Sequence, residues 1–409
     1  MSGVVHVQRV WHQEEGNVSP AGIVSTSDRF GLYVNVPFCE RKCAYCDFYS
    51  VEGTGLKERY LNALHLEIAR GARRTAAAVA GTVYLGGGTP TMLPPADIER
   101  MLADIADHFS IAADAEYTIE VNPGSASPET LRFIRGLGFN RLSIGVQSFD
   151  DAALSFLERI HSAAEARACI ESARTAGFDN LSIDLIYAIP GLSRSAWERT
   201  LQEAVAFSPE HVSAYSLIVE EQTPLHARVL AGVVTPADEE EEAAQYMMTM
   251  EFLELHGLEH YEVSNYAREG FRSRHNSSYW HHRNYLGLGP SAHSFWADGR
   301  TGEAWRWANV RQLHGYCDVL WRNGSPVAMA EELGTRELVN ERIFLGLRSD
   351  GLSLPMLTND LGYELSGEQR GYLHQILARN LAVLHDGTVT LTREGFLLCD
   401  EICAHLMVS

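Results

Sequence analysis

The stretch Leu32-Tyr-Val-Asn-Val-Pro-Phe-Cys39-Glu-Arg-Lys-Cys43-Ala-Tyr-Cys46-Asp-Phe48 places three thiols in one tight loop, directly after a short run whose apolar alternation reads as a β-strand. Three thiolates can hold three corners of an iron–sulfur cubane. Such clusters normally take four cysteine ligands, so a three-cysteine loop leaves one iron open to a substrate. Zinc is the competing metal, since soft thiolates suit it as well. Structural zinc sites, however, close with four ligands and usually carry paired Cys-x2-Cys knuckles, and no second pair lies nearby. Simple packing would need three cysteines beside Arg41 and Lys42, a poor core sequence. The other four cysteines, Cys169, Cys317, Cys399 and Cys403, are scattered, and an odd total of seven does not suit a disulfide framework. Cys399 and Cys403 stand four apart, as on one helix face, and read as small buried apolar residues.

The run before Cys39 is the first of six, at residues 32–36, 83–85, 117–121, 142–146, 181–187 and 212–218. Segments of helical period separate them at 56–70, 95–108, 128–137 and 162–176, the last closed by Gly177. This alternation is that of βα units around a parallel sheet, and six units predict an α/β fold, a partial (β/α)6 barrel of the TIM type. In such barrels the chemistry sits where the strands end, because the loops leaving that rim carry polar groups over a packed interior. Here Cys39 follows the first run, Gly86 to Thr91 the second, Glu120 and Asn122 end the third, and Gln147 ends the fourth. These groups are expected to converge on one mouth.

With 409 residues the chain exceeds one ordinary core, and 45% apolar against 21% charged side chains is the balance of a globular protein. Four units are expected: a polar leader at 1–29, the barrel at 30–225, a helical and irregular segment at 226–330, and a mostly helical C-terminal module at 331–409. The third unit holds an acidic stretch at 238–242 leading into a helix, then a region rich in His, Asn, Tyr, Trp and Gly at 261–295. In the fourth, helices precede a hairpin about His385-Asp386-Gly387 and a closing helix from Arg393, the order of a winged-helix-like module. A formal charge of -20, from 53 acidic and 33 basic side chains, repels phosphate backbones and anionic lipid, so nucleic acid is excluded as a partner. No run approaches the ~20 apolar residues of a membrane helix, and the first 29 residues have neither a basic start nor an apolar signal core. A cytoplasmic protein without a transmembrane segment is expected.

The Cys-x3-Cys-x2-Cys loop, with Tyr45 before its third cysteine, resembles the radical S-adenosylmethionine (SAM) superfamily. Tyr33 to Cys39, Gly86-Gly-Gly-Thr-Pro-Thr91, Ile119-Glu-Val-Asn-Pro-Gly124, Ser143-Ile-Gly-Val-Gln147 and Ile183-Asp-Leu-Ile-Tyr187 narrow the likeness to the oxygen-independent coproporphyrinogen oxidase group, over nearly the whole chain from Tyr33. The resemblance implies a four-iron four-sulfur cluster on Cys39, Cys43 and Cys46, with SAM chelating the open iron. It also implies an electron donor that reduces the cluster, so that SAM is cleaved to a 5'-deoxyadenosyl radical. The group's cofactor contacts fall on Tyr33, Phe48, Gly87, Gly88, Thr89, Glu120, Gln147, Arg159 and Asp184. Each also has a physical reading. A triple glycine after a strand lets backbone N–H groups approach a ligand, or it is an ordinary tight turn. Glu120 can accept from a ribose hydroxyl or an amine. Asp184, inside an apolar run, needs a partner, and Arg159 is one candidate, which would make the two a structural ion pair. Gln147 offers donor and acceptor to a ligand or to a loop backbone.

The true oxidases of that group carry a further cysteine two residues beyond the third ligand, where this chain has Phe48. Phe at that place, with Arg274-His275-Asn276-Ser-Ser-Tyr279-Trp280 and Tyr285-Leu-Gly-Leu-Gly-Pro290, resembles the heme-chaperone branch, the HemW-like proteins. That likeness implies heme binding and its transfer to acceptor hemoproteins, respiratory ones among them. An oxygen-independent coproporphyrinogen III dehydrogenase and a HemN-like radical SAM methyltransferase are the enzyme alternatives. His275 is the expected axial heme ligand, with Tyr279 and Trp280 against the porphyrin and His293 as a second candidate, while a hydrogen-bonded structural histidine is the plainer reading. His281 and His282 are expected at the surface. Asn35 stands where the family usually has His.

Overall fold

The computed structural model describes residues 29–75, 78–298 and 302–408. The expected leader, Arg29 apart, lies outside the described residues. Strands run in the order β1 (Phe30–Val36), β2 (Phe38–Cys39), β3 (Val51–Glu52), β4 (Ala80–Gly87), β5 (Ile111–Val121), β6 (Arg141–Gln147), β7 (Leu181–Tyr187) and β8 (His211–Ser216). Apart from the short β2 and β3, these are the six predicted βα strands, and β1, β4, β5, β6, β7 and β8 lie side by side in that order, all parallel. The fold is the α/β partial barrel that the alternation predicts.

The sheet does not stop at residue 225. β9 (Glu259–Glu262) and β10 (Asn265–Ala267) add antiparallel to the β8 edge. Beyond the opposite edge, β11 (Tyr285–Leu288) joins β1 as a seventh parallel strand, and β12 (His293–Ala297), β13 (Ala304–Asn309) and β14 (Val327–Glu332) extend it antiparallel. The segment 226–330 therefore supplies both flanks of one mixed twelve-stranded sheet.

Period-two alternation sorts each barrel strand. In β1, Leu32, Val34 and Val36 are buried in the main apolar core, where helices such as Lys57–Arg74 cover the sheet. The opposite face points into the barrel and is polar and buried, with Thr82, Glu116, Arg141, Ser143, Ser182 and His211 among its side chains. Local signals place the helices. Ser162 and Glu165 close a capping box on helix Ala163–Thr175, and Asp238 caps helix Glu239–Leu255, whose first turn carries the acidic run at the positive end of the helix dipole.

Residues from Thr335 onward form a separate core. Helices Thr335–Leu347, Leu354–Leu361 and Gly367–Ala378 precede a hairpin of β16 (Ala382–His385) and β17 (Thr388–Leu391), which pairs with β15 (Leu352–Ser353). Cys399 and Cys403 fill that core, as expected. Among the described residues no helix is long and apolar enough to cross a membrane.

Candidate functional site

The cysteine loop leaves the C-terminal end of β1 and is stapled shut where β2 pairs with β3. Val51 N–H donates to Pro37 O at 2.7 Å, and Gly53 N–H donates to Cys39 O at 2.9 Å. Within it, Cys46 N–H donates to Cys43 O at 3.2 Å, so the last two cysteines share one turn. All three thiols are half-buried and unpaired. Hydrogen-bond donors approach two of the sulfurs: Thr89 Oγ1 lies 3.9 Å from Cys39 Sγ and Arg159 Nη1 lies 3.5 Å from Cys43 Sγ. Burial pushes the Cys46 thiol above its ordinary pKa, a cost that binding as a metal thiolate reverses. Among the described residues no three or more His, Cys, Asp or Glu side chains close around a single-ion position. The donor set nevertheless fits an iron–sulfur cluster, with three soft ligands on one loop and sulfur-directed donors. Nearby, the buried Nε of Arg159 lacks any partner among the described residues.

The glycine turn after β4 comes next to this loop. Gly87 has φ +105°, and a Cβ there would overlap Asn35 Oδ1, while one on Gly88 would come within 2.6 Å of Phe38 O. Both positions therefore need glycine to pass so close to β1. Gly87 N–H donates to Glu120 Oε2 at 3.0 Å, and Tyr84 OH donates to Oε1 at 2.9 Å. Burial nonetheless pushes the Glu120 pKa up to about 7. Tyr33 OH donates to Asn35 Oδ1 at 3.3 Å, and Asn35 Nδ2 donates to Pro290 O at 2.6 Å, so the amide at this place ties β1 to the loop after β11.

One predicted contact does not form. Arg159 donates to Asn122 Oδ1 at 2.6 Å and to Gly145 O at 3.0 Å, away from Asp184. Asp184 instead accepts from Ser143 Oγ at 3.0 Å and Ser182 Oγ at 3.1 Å, and burial raises its pKa. Hydroxyls inside the barrel thus satisfy the carboxylate that the sequence reading matched to Arg159. Asn122 bridges the mouth, donating to Thr89 Oγ1 at 2.6 Å as well as accepting from Arg159. Its place at the end of β5 signals that position, but not that role. Gln147 ends β6 at φ +65°, a left-handed conformation that costs a non-glycine residue roughly 1–2 kcal/mol, with its amide beside Gly145. Phe48 stands 73% exposed. The mouth therefore gathers Cys39, Cys43, Thr89, Asn122 and Arg159 around one small cavity or its rim, with Glu120 and Asp184 deeper in the barrel.

His275 lies at the other end. Helix Arg274–Trp280 lies under the barrel with its N-terminus on Glu116, which accepts Arg274 N–H and His275 N–H, each at 2.9 Å. The imidazole is 1% exposed, its Nδ1 is 2.7 Å from Thr82 Oγ1 and its Nε2 is 2.7 Å from Tyr279 OH. Tyr84 stacks on it at 4.9 Å, and burial pushes its pKa down to about 3. Both ring nitrogens are committed, so this structure leaves His275 none for heme iron, and the hydrogen-bonded structural reading describes it. His282 also departs from expectation. Its side chain is 5% exposed and pairs with Glu341 at 2.7 Å, because the C-terminal module covers it. His281 is exposed and pairs with Asp350 at 2.9 Å, and His293 is exposed on β12.

A family model for the radical SAM superfamily matches residues 33–204. The chain is 34% identical to the protein named heme chaperone HemW of Bacillus subtilis, covering 90% of this chain and 97% of that protein. It is 37% identical to the Mycobacterium tuberculosis protein of the same name, covering 92% and 95%. It is 33% identical to the mouse mitochondrial radical S-adenosyl methionine domain-containing protein 1, covering 95% and 89%. Among solved structures, the Escherichia coli radical SAM enzyme coproporphyrinogen III oxidase (HemN) superposes with a TM-score of 0.80 at 23% identity, covering 93% of this chain and 90% of that one, a likeness of fold.

Proposed function

Since the chain belongs to the HemW family of the radical SAM superfamily, we propose that it is a heme carrier that binds heme and passes it to acceptor hemoproteins, respiratory ones among them. The observation that carries this reading is the reach of the likeness, about a third identity to two proteins named heme chaperones over at least nine-tenths of every chain. Phe48, where the resembled decarboxylases have cysteine, supports it too. The same reading has the protein work in the cytoplasm.

The carrier keeps a four-iron four-sulfur cluster and a SAM site. Cys39, Cys43 and Cys46 would hold the cluster; Tyr33, Gly87, Gly88, Thr89, Glu120, Gln147, Arg159 and Asp184 would surround SAM. When bound and reduced by a cellular electron donor, the cluster supplies one-electron chemistry to SAM at its open iron. Arg159 and Thr89 steady the thiolates as hydrogen-bond donors, Gly87 and Gly88 let the turn after β4 lie close against β1, and Glu120 offers a carboxylate to the SAM amine. The complete mouth is what keeps an enzyme, a coproporphyrinogen III dehydrogenase, as the second reading.

The test is anaerobic incubation of the reconstituted protein, SAM and a reductant with heme or with coproporphyrinogen III. About one retained heme per chain and an unchanged porphyrinogen are expected. Decarboxylated product with no retained heme replaces the carrier by the enzyme.

A further inference from the structure

Beside the N-terminal ends of β1 and β11 opens a cleft of about 560 Å3, far from the cysteine loop. The C-terminal turn of helix Arg274–Trp280 forms one side, and helices Thr335–Leu347 and Leu354–Leu361 of the C-terminal module form the other. Its apolar lining includes Phe30, Trp280, Trp296, Leu352, Leu357 and Leu361. The volume lies within the roughly 300–1,000 Å3 range of small-ligand sites.

Three polar groups in the lining lack partners. The buried indole Nε1 of Trp296, a residue 8% exposed, has no hydrogen-bond partner among the described residues. The guanidinium groups of Arg283 and Arg342 likewise make no hydrogen bond or ion pair with any described residue, although Arg342 feels the charge of Asp360. A buried donor without an acceptor is costly, and unpaired guanidinium groups suit carboxylates. The cleft also holds an imidazole fit for a metal. Asp350 holds His281 through one ring nitrogen, is itself held by Arg272 at 2.7 Å, and leaves the other nitrogen without a partner among the described residues. A carboxylate-held imidazole is the usual form of a metal-ligating histidine.

We propose that this cleft is the seat of heme, with the porphyrin on the apolar lining, iron on His281, and the propionates on Arg283 and Arg342. The assignment rests on the carrier reading. An iron-bearing, mostly apolar macrocycle with two carboxylates uses every group described: aromatic surface, imidazole, and two unpaired cations. The seat lies between the barrel and the C-terminal module, at the end of the barrel opposite the mouth.

Titration of ferric heme into the full chain, followed by the Soret band, tests it. The parent protein is expected to bind about one heme. His281→Ala should shift the band, the double change Arg283→Ala with Arg342→Ala should weaken binding by about tenfold or more, and Ala297→Trp, which fills the cleft, should abolish it. The thermal transition reports whether each variant is folded. Heme bound by the parent and equally by all the folded cleft variants overturns the cleft assignment alone. A parent protein that retains no heme overturns the carrier reading, and this assignment with it.

Discussion

The mouth of the barrel and the His275 cluster at its floor treat their polar groups in opposite ways. At the floor both ring nitrogens of His275 are filled, by Thr82 and Tyr279, and Glu116 accepts from its backbone N–H. At the mouth the three thiols form no disulfide and Arg159 keeps a buried N–H without a partner among the described residues. A satisfied buried network fixes structure, whereas spare hydrogen-bonding capacity marks a place where something binds. β1 separates the two by six residue steps, roughly 20 Å.

The strongest test of that contrast is at the mouth. Cys39→Ser, Cys43→Ser and Cys46→Ser should each abolish the broad iron–sulfur absorbance of the anaerobically reconstituted protein, while Cys169→Ser, deep in the apolar core, should leave it unchanged. Full iron content in any of the first three would remove that cysteine from the ligand set. At the floor, Glu116→Ala strips the acceptor from two backbone N–H groups at the helix start. With bonds to a charged group worth about 1.5–3 kcal/mol each, a stability loss of about 3 kcal/mol is expected in denaturant unfolding. A loss below about 1 kcal/mol would mean that the floor is not what holds the helix.

Smaller effects sharpen the reading of the SAM pocket. Asp184→Ala should weaken SAM binding about tenfold to a hundredfold and leave the cluster absorbance in place. Because serine hydroxyls hold Asp184, unchanged affinity in a folded variant would assign the carboxylate to the barrel interior alone. Glu120 gives the mildest effect, one that depends on pH. With its pKa raised to about 7 by burial, the side chain is largely protonated below that pH, and only its carboxylate attracts the SAM amine. SAM affinity should therefore fall severalfold as pH drops from 8 to 6, and Glu120→Gln should flatten the profile. An equal slope in Glu120→Gln would place the titrating group elsewhere.

The barrel was legible because its six strands are long enough to show apolar runs and its helices carry their own stop signals, as with Gly177. The flanking strands were not. β9 to β12 have only three to five residues each, too few to show a period, and their His, Tyr and Trp content looks irregular. The mouth residues were legible from their places after each strand. What failed was partner assignment: nothing in the spacing tells that Asp184 takes two serines, or that His275 faces Thr82 from 193 residues away. Pairing across the interior of a barrel depends on register, and a single sequence does not carry register.

In the proposed arrangement, heme handling and cluster chemistry occupy opposite ends of one molecule. Heme titration of the chain carrying Cys39→Ser, Cys43→Ser and Cys46→Ser together, followed by the Soret band, tests it most directly. About one heme per chain is expected, with the band position and affinity of the parent protein. Loss of heme binding together with the cluster, in a variant with an unchanged thermal transition, would contradict it.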